Sequence, residues 1–240
     1  MKIKSLDQFI IFENQDYIII NKPFGISSLQ ERDNSRISIQ QLASAYLETT
    51  QLCHRLDKET SGALALAKNP EAYKNLSGQF AKRKVSKTYH AFVEGLPEFK
   101  DYNCDLPIAI SGKGKVRIDK QEGKKSSTLF NTIEIFSKHT LVECKPLTGR
   151  MHQIRIHLAA SKHPIVSDLQ YGGNYLYLSQ IKAKYRTGKY EEEQPLISRV
   201  ALHACKLEFT GLNGNQIEAE APYPKDIKAL VNQLKKVMKR

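Results

Sequence analysis

The chain has 240 residues and a formal net charge of +12, from 37 lysines and arginines against 25 aspartates and glutamates. Its 40% hydrophobic and 26% charged content predicts a globular core that needs neither disulfides nor metal, and its apolar runs are too short to cross a bilayer. The four cysteines form no C-x-x-C pair and the N-terminus carries no signal-peptide pattern, so we expect reduced thiols, no zinc site and a cytoplasmic location.

The predicted elements begin with two short strands, Ile10–Phe12 and Tyr17–Ile20, which end at a turn over 21–25. A capping box at Ser38–Gln41 predicts the first helix. The apolar face of this helix comprises Ile39, Leu42, Ala43, Tyr46 and Leu47.

A second helix is predicted from Asn69-Pro70, because asparagine favours the N-cap and proline the first helical position. Its buried stripe is Tyr73, Leu76 and Phe80, and three basic residues at 82–84 match the dipole at its end. Strands are predicted at Ala63–Ala67, Thr88–Glu94, Leu129–Phe136, Thr140–Cys144 and Ile154–His157.

The last part of the chain predicts a hairpin and a helix. The hairpin joins Leu207–Thr210 to Ile217–Ala221 through a loop with Asn213-Gly214. A basic amphipathic helix follows over 224–240, and its apolar face is Ile227, Leu230, Val231, Leu234 and Val237. Since strands outnumber helices without regular alternation, we expect an α+β fold with a mixed, largely antiparallel sheet flanked by helices and loops, in one domain over 1–240.

Two segments read as excursions from this core. Gly112–Lys125 is rich in glycine and lysine, and Asn174–Gln194 carries Tyr175, Tyr177, Tyr185 and Tyr190 among charged residues. Each is either a surface loop or an arm that contacts RNA, because aromatic rings stack on unpaired bases while lysines meet phosphates.

A first candidate for chemistry is HRLDKETSG at 54–62, a polar segment between the first helix and a predicted strand. Catalytic groups concentrate in loops held by a rigid scaffold. The same residues also suit a turn stitched by local hydrogen bonds, because Asp, Thr and Ser favour turns.

A second candidate is TGRMHQIRIH at 148–157, where polar and apolar residues alternate from Arg155. The alternation predicts a strand with Arg155 and His157 on one face. That face either lines a groove that binds carboxylate and phosphate or is an exposed basic strand.

Several other chemistries are disfavoured because the sequence lacks their motifs. The sequence has no G-x-S-x-G elbow, no phosphate-binding P-loop and no H-E-x-x-H helix. A glycosidase needs two carboxylates in defined roles, and Glu59 lies only two residues from Asp57.

Taken together, the motifs resemble the RluA family of RNA pseudouridine synthases. The resemblance covers about residues 12–210 and follows the order of the family's motifs. It rests on FENQDYIIINKPFG (12–25), HRLDKETSG (54–62), SKTYHAFVEG (86–95), TGRMHQIRIHLA (148–159), HPIVSDLQYGG (163–173) and LHA (202–204).

The resemblance implies an isomerase that detaches uracil from its ribose and reattaches it through carbon, without a cofactor. Asp57 is the implied catalytic aspartate, which either attacks the sugar or abstracts a sugar proton. Tyr89 would pack on the base and shuttle its proton, and Arg150 would pair with Asp57. The implied pocket wall includes Ile154 and Leu202. The expected RNA contacts are Arg55, His152, Gln153, Arg155, Lys113, Lys115, Lys124 and Lys125.

Two departures from the family pattern are visible. Ser167-Asp168 stands where the family usually has Gly-Asp, and the chain starts directly at the catalytic motifs, without the S4-type RNA-binding module of many relatives. We therefore expect RNA affinity to come from this domain itself, in a monomer with no obligatory protein partner. The expected substrate is ribosomal RNA or transfer RNA, with ribosomal RNA slightly favoured. The alternatives are an RNA-binding or ribosome-assembly protein without activity, and a hydrolytic nucleosidase.

Overall fold

A computed structural model describes residues 5–31, 37–112, 114–182, 185 and 192–238. The chain divides into two compact units. Unit 1 is Met1–Tyr89 with His203–Pro222, and unit 2 is His90–Leu202 with Tyr223–Arg240.

The helices and strands follow in chain order. The strands are β1 (Ile10–Glu13), β2 (Tyr17–Lys22), β3 (Gln51–Leu52), β4 (Ser61–Ala67), β5 (Ser86–Glu94), β6 (Tyr102–Cys104), β7 (Ile108–Ile110), β8 (Val116–Ile118), β9 (Thr128–Ile135), β10 (His139–Pro146), β11 (Leu202–Thr210) and β12 (Gln216–Glu220). The α-helices are α1 (Ile39–Tyr46), α2 (Pro70–Ala81), α3 (Gln153–Ala160), α4 (Leu178–Ile181) and α5 (Lys225–Met238). Short 3-10 turns lie at Asp7–Phe9 and Leu169–Tyr171.

Unit 1 contains a mixed sheet in the order β1-β2-β4-β11-β5, with β3 beside β4 and β12 beside β11, and it includes β5 only as far as Tyr89. The β4–β11 pair is parallel, whereas β1–β2, β2–β4, β3–β4 and β11–β12 are antiparallel. Every residue of β4 is buried, because hydrophobic clusters cover both of its faces. The predicted mixed, largely antiparallel sheet is confirmed.

The two helices of unit 1 begin where the sequence predicts. Ser38 and Gln41 form the reciprocal capping box of α1, and the Asn69 side chain accepts a hydrogen bond from the backbone N–H of Ala72 at 2.8 Å. Their buried faces differ from the prediction at two tyrosines, since Tyr46 is 41% and Tyr73 38% exposed.

The face that α2 buries carries the small residue Ala72. Ala72 and Leu76 pack in the same cluster as Ala63, Ala65 and Ala67 of β4. Small side chains on both sides allow the helix backbone to approach the sheet closely, so the larger Tyr73 turns toward solvent.

Unit 2 contains the strand order β5-β10-β9-β6, with β5 from His90 onward, and a separate two-stranded sheet of β7 and β8. The predicted loop Gly112–Lys125 therefore includes a strand, β8, and its Lys124 backbone pairs with Ile108 in both directions. Helix α5 buries Ile227, Leu230 and Leu234 as predicted.

The predicted strand Ile154–His157 is wrong, because these residues belong to helix α3. All six residues from Gln153 to Leu158 are buried, so no face of the helix is exposed along this stretch. The alternation of polar and apolar residues therefore did not distinguish the period of a strand from that of a helix. Its N-cap is His152 in the left-handed region (φ 54°), without a side-chain cap, so the usual start signal is also missing.

Candidate active site

The loop of residues 53–60, here called the Asp57 loop, connects β3 to β4 and is held by side chains from outside it. The Ser28 hydroxyl donates to the Leu56 carbonyl at 2.7 Å and accepts from the Leu56 N–H at 3.1 Å. On the other side of Asp57, the Gly25 N–H donates to the Lys58 carbonyl at 2.8 Å. Asp57 itself is half-buried, so its flanking residues are fixed while its carboxyl stays partly accessible.

A buried lysine reinforces this arrangement. Lys22 is fully buried, and its ammonium donates to the carbonyls of Pro23 and Ile26, each at 2.9 Å, and of Lys58 at 3.3 Å. The ammonium thus joins the turn after β2 to the Asp57 loop. The sequence predicted this turn but not the buried cation, because lysine is rarely fully buried.

Tyr89 lies close to Asp57 within unit 1. Burial raises the pKa of the Tyr89 hydroxyl, and the negative charge of Asp57 and the Cys205 thiol raise it further. Its ring packs against the cluster that contains Leu56 and Ala204. The phenol is therefore protonated at neutral pH, which suits a group that donates a hydrogen bond beside a carboxylate.

His54 and Arg55 differ sharply although they are neighbours. His54 stacks on Phe80 with ring centroids 4.5 Å apart, and its Nε2 accepts the Ala65 N–H at 3.0 Å. Burial, with a smaller contribution from Lys87, lowers the pKa of His54 to about 3. Arg55 is exposed, which agrees with its predicted contact to RNA without testing it.

Unit 2 contains Arg150 and Gln153 at the start of α3. The Gln153 carboxamide accepts from the Thr148 hydroxyl at 2.6 Å and from the Arg150 N–H at 3.0 Å. It also donates to the Ser127 carbonyl at 2.9 Å. These bonds hold the loop around Arg150 and give no support to an RNA contact by the buried Gln153. The Arg150 guanidinium donates from Nε to the Lys125 carbonyl at 3.3 Å.

Arg155 was predicted to face RNA, but the structure places it in the interior. It is 6% exposed, and its guanidinium binds the Asp168 carboxylate through two hydrogen bonds of 2.8 and 2.7 Å. The guanidinium also lies 5.0 Å from the ring centroid of Tyr171, whose hydroxyl is hydrogen-bonded to His152 Nδ1 at 2.8 Å. The geometry therefore assigns Arg155 to organising the 168–171 turn, and the phosphate contact lacks structural support.

The Ser167-Asp168 departure also has a structural account. Ser167 adopts a left-handed conformation with φ 62°, which glycine tolerates best. Its hydroxyl donates to the Ile197 carbonyl at 2.7 Å, which offsets part of the strain that a side chain introduces.

The remaining predicted residues of unit 2 fall into two groups. Ile154 and Leu202 are buried, and their role as a pocket wall stays a prediction. Lys115, Lys124 and Lys125 are exposed on the segment that carries β8. Lys113 lies outside the described residues, as does Tyr190 of the 174–194 segment.

No cluster of three His, Cys, Asp or Glu side chains able to hold a metal occurs in the described part of the chain. Among the same residues, no helix is long and apolar enough to span a membrane. All four cysteines are free thiols.

Comparisons with known proteins agree with this geometry. A family model described as RNA pseudouridylate synthase matches residues 16–160. An uncharacterized RNA pseudouridine synthase of Zymomonas mobilis is 34% identical over 90% of this chain and 94% of its own length. Ribosomal large subunit pseudouridine synthase C of Escherichia coli is 33% identical over 98% of this chain and 72% of its own.

Solved structures show the same similarity. Human RNA Pseudouridylate Synthase Domain Containing 1 is 27% identical with a TM-score of 0.70, over 93% of this chain and 87% of that one. Human RNA Pseudouridylate Synthase Domain Containing 4 has a TM-score of 0.72 at 22% identity, over 96% of this chain and 94% of that one, and supports the fold alone.

Proposed function

Since the chain belongs to the RNA pseudouridylate synthase family, we propose that it isomerises uridines of large-subunit ribosomal RNA with Asp57 as the catalytic aspartate. The protein is an RNA pseudouridine synthase, an isomerase. Similarity to ribosomal large subunit pseudouridine synthase C favours ribosomal RNA as the substrate. We also propose that it acts as a monomer in the cytoplasm.

The observation that carries the proposal is the position of Asp57 in unit 1. Its loop is held on both sides, by Ser28 at Leu56 and by Lys22 and Gly25 at Lys58. A protonated Tyr89 lies near enough for the charge of Asp57 to raise its pKa. A fixed carboxylate beside a phenol is the arrangement that acid–base chemistry at a sugar–base bond requires.

The reaction breaks the N1–C1′ bond of uridine, turns the base, forms a C5–C1′ bond, releases the C5 hydrogen to solvent as a proton and leaves a proton on N1, so that product and substrate are isomers. The target uridine must first leave its stack, which costs a few kcal/mol. Asp57, ionised, either attacks C1′ or removes a sugar proton. Tyr89 packs on the base, and its hydroxyl donates a hydrogen bond or carries the proton. Arg150 is proposed as the partner that orients Asp57.

RNA binding is proposed to use the exposed basic residues. Arg55 lies beside Asp57 in sequence, and Lys115, Lys124 and Lys125 are exposed in unit 2. His152 remains a proposed contact, whereas Gln153 and Arg155 are proposed to hold the loops around Arg150 and Asp168.

Asp57→Asn tests the proposal, because it preserves shape and removes the charge. We expect tritium release from large-subunit ribosomal RNA labelled at C5 of uridine to fall to background, while RNA affinity is retained. Glu59→Gln is the matched control, since it removes the same charge from the same loop, and it should keep activity. A rate for Asp57→Asn within about tenfold of wild type would overturn the assignment, because loss of a catalytic group costs about 10² or more.

A further inference from the structure

A depression in unit 1 adjoins the Asp57 loop and has no role in the reaction described above. Its volume is about 470 Å³, and its lining includes Leu29, Gln51, His54, Arg55 and Tyr73. This volume lies within the range of about 300–1,000 Å³ typical of small-ligand pockets. The depression is therefore large enough for a planar heterocycle.

The side chains around this depression present both apolar surface and unused polar groups. Leu29 is 43% and Tyr73 38% exposed, so both present apolar surface to solvent. Within the part of the chain that the structure describes, the side chains of Gln51, Arg55 and Tyr73 make no hydrogen bond or ion pair. An exposed ring, an aliphatic side chain and an amide with nothing to bind are the groups that hold a nucleobase by stacking and by its polar edge.

Part of the wall of the depression is held in place, which lowers the cost of binding. Gln40 accepts the Leu52 N–H at 3.1 Å and donates to the Thr50 carbonyl at 2.8 Å. His54 is fixed by its stacking on Phe80 and by the Ala65 N–H.

Charge favours a nucleic acid as the occupant. Among the described residues that line the depression, none is a carboxylate. Arg55 is the one cation there, because His54 is neutral with its pKa lowered to about 3. Arg55 lies two residues from Asp57, so their Cα atoms are at most about 7 Å apart. Stacked nucleotides rise about 3.4 Å each, which places this edge of the depression within about two nucleotides of a uridine at Asp57.

We propose that this depression binds one unpaired base of the substrate RNA that neighbours the target uridine, with the base stacked on Tyr73 and its phosphate near Arg55. The subsite rests on the proposed function, because it needs the target at Asp57. It gives the enzyme a second point of contact by which a flexible, unpaired segment is preferred to a duplex.

The experiment measures RNA binding separately from catalysis. A short oligouridylate carrying one 2-aminopurine is titrated with wild-type protein and with Tyr73→Ala, Tyr73→Phe and Tyr46→Ala. Tyr46 is the matched control, since it is a helix tyrosine of similar exposure, 41%, that does not line the depression. We expect quenching of 2-aminopurine at one position along the oligonucleotide, where its base stacks on the tyrosine.

Tyr73→Ala should abolish that quenching and weaken binding about tenfold, because loss of one base–aromatic stack reduces affinity by roughly 5- to 150-fold. Tyr73→Phe, which keeps the ring, and Tyr46→Ala should bind within about twofold of wild type. In tritium release from ribosomal RNA, Tyr73→Ala should raise KM with little change in kcat, since a contact remote from the reacting bond binds ground and transition states alike.

Unchanged RNA affinity and unchanged KM in Tyr73→Ala would overturn the subsite while the activity stands. A loss of kcat together with a lowered melting temperature would also overturn it, because it would make Tyr73 structural. Failure of wild-type protein to release tritium from any ribosomal RNA would instead overturn the proposed function.

Discussion

At the scale of single residues, the Asp57 loop depends on interactions made by the interior of unit 1. Lys22 carries its charge into a fully buried position and uses it to bind three backbone carbonyls. A buried cation is expensive unless such acceptors surround it. The role of the buried Lys22 ammonium is therefore to fix the geometry of the turn after β2 and of Lys58.

Lys22→Met tests this role. The change leaves buried carbonyls without their donor, so we expect the free energy of unfolding to fall by about 1–3 kcal/mol. We also expect a lower kcat at temperatures well below the melting temperature, because the Asp57 loop loses one of its anchors. Urea unfolding and initial rates measure the two effects.

The control is Lys68→Met. Lys68 forms a partly exposed ion pair with Glu13 at 2.8 Å, and such pairs contribute about 0–1 kcal/mol. Equal losses of stability for the two methionine variants would show that burial of the Lys22 ammonium has no special role.

His54 predicts a pH dependence of stability. Its pKa is lowered from 6.5 to about 3 in the folded protein, so between these values the unfolded state binds a proton that the folded state does not. The free energy of unfolding should therefore fall as the pH decreases below about 6.5. The free energy of unfolding falls by at most about 1.4 kcal/mol per pH unit, and the total loss from His54 at pH 5 is about 2 kcal/mol.

His54→Gln should remove this contribution, since the amide keeps an acceptor for the Ala65 N–H but does not titrate. Urea unfolding of both proteins at pH 7 and pH 5 isolates the contribution of His54. Burial also lowers the pKa values of His90, His139 and His157, but these residues occur in both proteins and their effects cancel in the comparison. An NMR titration that protonates the His54 ring near pH 6.5 would contradict the expected pKa.

At the scale of elements, the sequence predicted those whose signals are local. Ser38 and Asn69 mark the starts of α1 and α2, and both side chains form the caps that the residue types favour. Helix α3 was missed because it is buried on all sides, so its polar residues do not mark an exposed face at helical spacing. Strands β7 and β8 were missed because three-residue strands with tertiary partners carry little pattern of their own.

The basic segment that contains β8 is predicted to supply phosphate contacts. Replacing Lys113, Lys115, Lys124 and Lys125 together by glutamine should weaken RNA binding and flatten the log–log salt dependence by up to about 3, at about 0.7 per contact on single strands. The rate at saturating RNA should barely change, because these contacts bind ground and transition states alike.

Two variants give this prediction its contrast. A control with the same loss of charge replaces four exposed lysines elsewhere, Lys74, Lys82, Lys84 and Lys138. Arg150→Ala should do the opposite of the four-lysine segment variant. The salt dependence of RNA binding should be unchanged, and the rate at saturating RNA should fall sharply. An unchanged slope in the segment variant, or an effect of Arg150→Ala on binding alone, would refute this division of roles.

At the scale of the whole molecule, the candidate site was predicted only in part. Asp57 and Tyr89 lie close enough within unit 1 for the charge of Asp57 to raise the pKa of Tyr89, and their catalytic roles stay predictions. Arg155 and Gln153 were misplaced because their partners, Asp168 and Thr148, are set by tertiary packing that local alternation does not encode. Tyr73 was predicted to be buried, since its spacing from Leu76 and Phe80 suits a helical stripe, but the small Ala72 gave α2 a different contact face.

The reaction is predicted to need no metal. Isomerisation should persist after EDTA treatment and dialysis, because the sequence offers no metal-ligand spacing and the described residues bring no three such side chains together. Tritium release before and after chelation measures this. In both assays the RNA is first refolded in magnesium and then transferred to magnesium-free buffer. Loss of activity that zinc restores would contradict the prediction.

The parallel pairing of β4 with β11 has a consequence for synthesis of the protein. Ser61 hydrogen-bonds to His203 at 2.9 Å, across 142 positions of the chain, and Gly62 sits so close to Ala204 that a Cβ would lie 2.1 Å from its carbonyl oxygen. At about 5–20 residues per second, a ribosome needs roughly 7 to 28 s to deliver the second strand after the first. During that interval all of His90–Leu202 emerges, while Ser61 and Gly62 of β4 lack the strand that pairs with them. The segment that carries Asp57 is thus translated early but acquires its last neighbouring strand only when the chain is nearly finished.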